Sequence, residues 1–200
     1  MMARWICAAL TAATLLAATV IAGGSHDAHA TPLKSAIFAG GCFWCMEAAF
    51  DEVDGVTETV SGYAGGTTPN PTYGSHEGYK EAVRVTYDPA KVGYAALLDH
   101  YWHNIDPFDP EGQFCDKGSA YQSVIFTDDD EEKGLAEKTK QEIADRFKEK
   151  VATEIVPATT FTAAEDYHQD YHNQNPVSYK YYKWGCGRAQ RLAEIWGKPS

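Results

Sequence analysis

Cys42 and Cys45 lie three apart in Gly40–Gly41–Cys42–Phe43–Trp44–Cys45. The segment follows an apolar run, Lys34 to Ala39, that reads as a buried strand. It leads into Phe43, Met46, Ala49 and Phe50 at helical spacing. Cys42 is thereby expected at a helix start, where unpaired N–H groups favour a thiolate and lower a cysteine's pKa. The two glycines let the backbone turn tightly and let a substrate come close. A small buried cysteine packing a strand–helix junction is the plainer alternative. Cys45 makes the motif C-x-x-C, which also suits a thioredoxin-like dithiol or half of a zinc site. Zinc needs a second pair of ligands, and the chain has no second C-x-x-C. His168 and His172 are four apart but not joined in H-E-x-x-H, and read better as helix-surface residues.

A reactive thiol needs a proton donor nearby, and the surrounding elements limit which one. Tyr79 to Tyr87 alternates, with Glu81, Val83, Val85 and Tyr87 on one strand face. If that face is buried, desolvation raises the Glu81 pKa and keeps it protonated near neutrality. A solvated strand-end carboxylate, or one paired with a basic side chain, is the alternative. Val56 to Val60 is β-branched and strand-like, and Tyr121 to Thr127 reads as a strand. Residues 62–78 hold five glycines and two prolines, and 104–118 are rich in Pro and Gly; both read as loops. Val92 to Trp102 and Thr127 to Lys148 read as helices, the second with Asp130 three residues after Thr127 as in a capping box. Thr153 to Val156 reads as a short strand, and Thr162-x-x-Glu165 as a box opening a helix to about His172. The core order is β-α-β-β-α-β. The expected class is α+β: a ferredoxin-like two-layer α/β sandwich with a long irregular C-terminal tail.

Of the 200 residues, the first 30 stand apart. Met1–Met2–Ala3–Arg4 is a short basic start, Trp5 to Ala22 is uncharged and apolar, and Ala28–His29–Ala30 offers a small-x-small cleavage site. That order reads as a signal peptide, with an uncleaved anchor as the alternative. It predicts an exported protein, periplasmic or secreted, without stable membrane association after cleavage. A single domain at 31–200, about 170 residues, is large enough for one core without disulfide staples. The net charge of −11 and the lack of a basic stripe argue against a nucleic-acid partner. Four cysteines remain after cleavage: Cys42, Cys45, Cys115 and Cys186. An even count in an exported chain suits structural disulfides, while a close pair plus two distant singles also suits redox chemistry.

Several segments, in order, resemble the A-class methionine sulfoxide reductases. They are Gly41–Cys42–Phe43–Trp44–Cys45, Gly62–Tyr63–Ala64–Gly65–Gly66 with Pro69–Asn70–Pro71–Thr72–Tyr73, and Glu81 to Val85 ending in Tyr87–Asp88–Pro89. Cys115 to Tyr121 and Ala164 to Gln169 extend the likeness over most of the chain. The resemblance implies that Cys42 attacks the sulfur of a methionine S-sulfoxide, free or in an oxidised protein, and becomes a sulfenic acid. It implies Glu81 as the acid and Tyr63 and Tyr121 as donors to the sulfoxide oxygen. Asp116 would help shape the site, and Phe43 and Trp44 would form an apolar pocket for the methyl group. A resolving thiol then forms an intramolecular disulfide that an external dithiol, thioredoxin or a thioredoxin-like protein, reduces. Tail cysteines resolve in many family members, which favours Cys186. Cys45 is the rival, and Cys115 is structural or a third relay thiol. No bound cofactor or metal is implied, and a monomer is expected. Two other functions compete: general thiol–disulfide exchange by Cys42 and Cys45, which has no use for Glu81 and the tyrosines, and a non-catalytic secreted domain with two structural disulfides.

Overall fold

The structure, a computed structural model, describes residues 31–197. The expected signal peptide at 1–30 therefore lies outside the described residues. Strand β1 (Lys34–Ala39) runs into Gly40–Gly41 and helix α1 (Phe43–Phe50). Strands β2 (Val56–Ala64) and β3 (Lys80–Tyr87) follow, then α2 (Tyr94–Trp102). A two-residue hairpin, β4 (Gly112–Gln113) and β5 (Asp116–Lys117), precedes β6 (Val124–Thr127) and α3 (Asp130–Phe147). The remainder is β7 (Glu154–Pro157), β8 (Thr162–Ala163), α4 (Tyr171–Gln174), α5 (Pro176–Gly185) and α6 (Arg188–Trp196).

The main sheet has six strands in the order β7-β6-β1-β3-β2-β8. All neighbours are antiparallel except β6 and β7, which run parallel. Side chains alternate across it with period two. Phe38, Tyr63, Val83, Val85 and Ile125 face the larger core with α1 and α2, where Phe38 stacks on Phe50 at 5.1 Å and on Tyr101 at 5.2 Å. Ala39, Ala64, Ala82, Val124 and Phe126 form a smaller cluster on the opposite face. Glu81, two residues before Val83, falls on the large-core side by the same alternation. The register Tyr63↔Glu81 then seats Tyr63 beside it on β2.

The chain is a mixed α+β fold around a central sheet, and several local expectations are corrected. The C-terminal tail is not irregular: α5 and α6 occupy most of it. Pro176 presets helical φ at the first turn of α5. Tyr179 and Tyr182 then dock on Cys45, Ala48 and Trp44. In α6, Arg188, Leu192, Ile195 and Trp196 share one face by their spacing. The segment at Gly62 is strand, not loop, because β8 pairs there. A Cβ on Gly62 would lie 2.4 Å from the Phe161 ring and from the Thr162 carbonyl, so glycine is what admits β8. Thr162 is consequently a strand residue and caps nothing, and Ser119–Tyr121 is a 3₁₀ turn before a shorter β6. The cap of α3 is Asp129, whose carboxylate accepts from Glu132 N–H at 2.8 Å, two residues later than expected. Glu132 returns the favour to Asp128 N–H at 2.9 Å.

Candidate active site

Cys42 is the N-cap residue of α1, as its position between strand and helix requires. Gly41 before it has φ +85° and packs so closely that a Cβ would sit 2.5 Å from Gln113 Cβ. The left-handed turn that aims Cys42 therefore depends on glycine. Cys42 makes no side-chain cap bond to the helix. The Phe43 N–H instead donates to Glu81 Oε2 at 3.0 Å. Helix α1 thus gives its first donor to the carboxyl group of β3, which ties strand and helix together beside Cys42.

A small cavity of about 60 Å³ opens on Cys42 and is lined by Phe43, Trp44, Tyr73, Glu81, Asp116, Tyr121 and Tyr182. The aromatic wall is braced from behind. Trp44 stacks on Tyr171 at 3.8 Å between ring centres and donates from Nε1 to His168 Nδ1 at 3.1 Å. Phe43 lies 5.0 Å from the His168 ring and 6.5 Å from the Tyr73 ring. Tyr182 donates its hydroxyl to Asp116 Oδ2, and its oxygen is also within hydrogen-bond reach of Cys42.

The electrostatics reverse one expectation. Burial pushes the Cys42 thiol well up, and the neighbouring Cys45 and Glu81 add to it. The first N–H of the helix serves Glu81 and not the thiol. Cys45 is pulled down instead, first by its hydrogen bond with Cys42 and then, against the cost of burial, by Arg188. Glu81, 2 % exposed, is raised to about 8 by desolvation despite the Phe43 N–H. At neutral pH the site therefore holds a Cys42 thiol facing a Glu81 carboxylic acid. Burial also pushes Tyr121 upward, and burial lowers His168, so the phenol stays a donor and the imidazole stays neutral.

Of the residues singled out from sequence, the structure brings Cys42, Phe43, Trp44, Glu81, Asp116 and Tyr121 to one cavity. Tyr63 is different. It is fully buried, and its hydroxyl donates to Glu165 Oε2 at 3.0 Å. Tyr73, at the end of the Pro69 to Tyr73 segment, lines the cavity in its place. The same Glu165 accepts from Tyr73 N–H at 2.9 Å, so Tyr63 acts through Glu165 on the loop that carries Tyr73. Tyr182 and His168 were not singled out for the site. Tyr182 stands on a helix that the sequence reading missed, and His168 is 2 % exposed, not on a surface. His172 Nε2 lies 3.4 Å from Asp51. Cys115 and Cys186 are joined in a disulfide, while Cys42 and Cys45 are free thiols. Cys186 is thus not free to attack Cys42 in this state, and Cys45 is the free thiol that neighbours Cys42.

Residues 34–200 match the family described as peptide methionine sulfoxide reductase. Peptide methionine sulfoxide reductase MsrA 2 of Caulobacter vibrioides is 46 % identical over 187 residues, covering 90 % of this chain and 95 % of its own. Mxr1 of Saccharomyces cerevisiae in its reduced form is similar in structure, with a TM-score of 0.67 and 30 % identity over 72 % of this chain and 87 % of that one. Mxr1 has also been solved in complex with Trx2; that chain is similar at a TM-score of 0.51 and 26 % identity, over 70 % of this chain and 84 % of its own.

Proposed function

The chain belongs to the peptide methionine sulfoxide reductase family, and from that premise we propose how its own residues reduce methionine sulfoxide. The substrate is the S epimer, free or in an oxidised protein, with its methyl group against Phe43 and Trp44. Glu81 and the Tyr73 and Tyr121 hydroxyls face the sulfoxide oxygen. Glu81 gives its proton to that oxygen as Cys42 sulfur attacks the substrate sulfur, and the thiol proton passes back to the carboxylate. The protonated oxygen then passes from the substrate sulfur to Cys42 sulfur: an S–O bond forms at Cys42 as the substrate S–O bond and the transient S–S bond break, methionine leaves with the electron pair of that S–S bond, and Cys42 becomes a sulfenic acid. The thiol of Cys45 then displaces water from Cys42 and forms a Cys42–Cys45 disulfide. An external dithiol, thioredoxin or a thioredoxin-like protein, reduces it; Mxr1 in complex with Trx2 supports that class of reductant.

The observation that carries this reading is the pairing of a Cys42 thiol with a Glu81 acid, raised to about 8, in one aromatic cavity. Simple disulfide exchange would need neither the acid nor the phenols. Cys42→Ser should abolish methionine formation while leaving the fold intact, and retained turnover in that variant contradicts the reading. The ferredoxin-like description of the inner core is supported by the run β6-β1-β3-β2, all antiparallel, with α1 and α2 as crossovers. Export as a monomer rests on the basic, apolar and small-x-small order of residues 1–30 and on a domain large enough to fold alone. The size of the chain from purified periplasm or medium checks both.

A further inference from the structure

Cys42 and Cys45 border different cavities. The small one opens on Cys42 and not on Cys45. A second, of about 540 Å³, opens on Cys45 and not on Cys42, between α5, α6 and the end of α2. Its walls combine apolar Leu192, Ala193 and Trp196 with cationic Lys183 and Arg188. Arg188 is unusual. It is 3 % exposed, donates to the Asn104 carbonyl and toward Met46 sulfur at 3.5 Å, and lies 4.5 Å over the Phe114 ring. No carboxylate forms a salt bridge with it among the described residues, although its charge reaches Asp116, so a buried cation stands beside the Cys45 sulfur and favours a thiolate there. A thiolate leaving from Cys45 is therefore stabilised by that charge.

We infer that the α5–α6 cavity is a reductant entrance, which admits a small anionic dithiol to Cys45 while sulfoxides enter on the Cys42 side. The inference rests on the Cys42–Cys45 disulfide proposed above. The cavity suits a slim molecule as a second donor beside the protein reductant proposed above, since Cys45 is only 4 % exposed. Exposed Lys183 at the wall holds the anionic end, and Leu192 and Trp196 receive the alkyl chain. One thiolate of the reductant attacks Cys45 Sγ, and the Cys42–Cys45 bond breaks. Cys42 leaves and takes up a proton, and Cys45 carries the mixed disulfide. The second reductant thiol attacks the reductant sulfur of that bond. Cys45 leaves as a thiolate beside Arg188 and takes the second proton, so the reductant is oxidised to a cyclic disulfide and both cysteines are reduced.

The test separates the two half-reactions. Without reductant, one addition of methionine sulfoxide should release one methionine per chain in the wild type and in Leu192→Trp alike. Loss of that release from the wild type would overturn the proposed function itself. With the release intact, Leu192→Trp should slow regeneration by dihydrolipoate about tenfold or more by filling the cavity, and Lys183→Glu should cut the preference for dihydrolipoate over uncharged dithiothreitol by about tenfold. The double variant Cys115→Ser/Cys186→Ser should regenerate as fast as the wild type. The entrance is overturned if Leu192→Trp regenerates at the wild-type rate, if the preference ratio is unmoved, or if the double variant cannot be regenerated.

Discussion

Two opposing environments meet on the Glu81 carboxyl group. Burial on the large-core face of β3 keeps it neutral, while the Phe43 N–H holds one oxygen in place and prevents a larger shift. In the proposed reaction the acid form is the one that protonates the sulfoxide. Methionine release in a single turnover should therefore be level below neutrality and fall as pH rises through about 8. In Glu81→Gln that release should drop by about 10²–10⁴-fold and lose the fall at pH 8, as read by quenched-flow methionine release. A fall that survives in the variant would assign it to another group. Residue types and spacing made Cys42 and Glu81 legible, because period-two alternation fixes which way Glu81 points. Tyr63 and Tyr73 could not be separated that way. Both lie in segments that resemble the family, and only the β2–β8 pairing and the Glu165 contacts show which hydroxyl is free to meet substrate.

The strand–turn–helix at β1 and α1 is the element on which the site depends. Gly41→Ala places a Cβ against Gln113 at a left-handed backbone position. It should destabilise the fold by about 1–3 kcal/mol in urea titration and lower single-turnover rate, since the turn aims Cys42. Loss of stability with unchanged rate would mean that the turn supports the core alone. Strands β1, β2, β3, β6 and β7 and the first three helices were readable from alternation and 3.6-residue spacing, while the two-residue strands β4, β5 and β8 were not. The tail was not: α5 depends on Tyr179 and Tyr182 docking against Trp44, Cys45 and Ala48, a long-range contact that no local pattern reveals. The box at Thr162 failed for the same reason, because pairing with Gly62 overrode the local cap.

At the scale of the whole molecule, the four described cysteines divide by role. Cys115–Cys186 closes a separation of 71 residues and ties the β4–β5 hairpin to the junction of α5 and α6. In the loop-closure account a crosslink of that span contributes about 4 kcal/mol, so Cys115→Ala/Cys186→Ala should lower the denaturant midpoint clearly. Buried Glu47 acts in the opposite sense at high pH. It is 1 % exposed, its Oε2 has no hydrogen-bond partner, and burial raises it to about 7. A folded pKa above the unfolded one stabilises below the unfolded value and loses that contribution as pH rises through the folded value. Stability should thus decline between about pH 4.5 and 7 from this group. Glu47→Gln should recover about 1–3 kcal/mol at pH 8 and little at pH 4, measured by urea titration at both.

The central claim is that Cys42 takes the sulfoxide oxygen and Cys45 resolves it, and one measurement reaches both halves. The protein is given a single equivalent of methionine S-sulfoxide without reductant, and its disulfides are mapped by mass spectrometry. The account predicts one methionine per chain, a new Cys42–Cys45 disulfide and an unchanged Cys115–Cys186 bond. A new bond from Cys42 to Cys186, or no methionine at all, would contradict it.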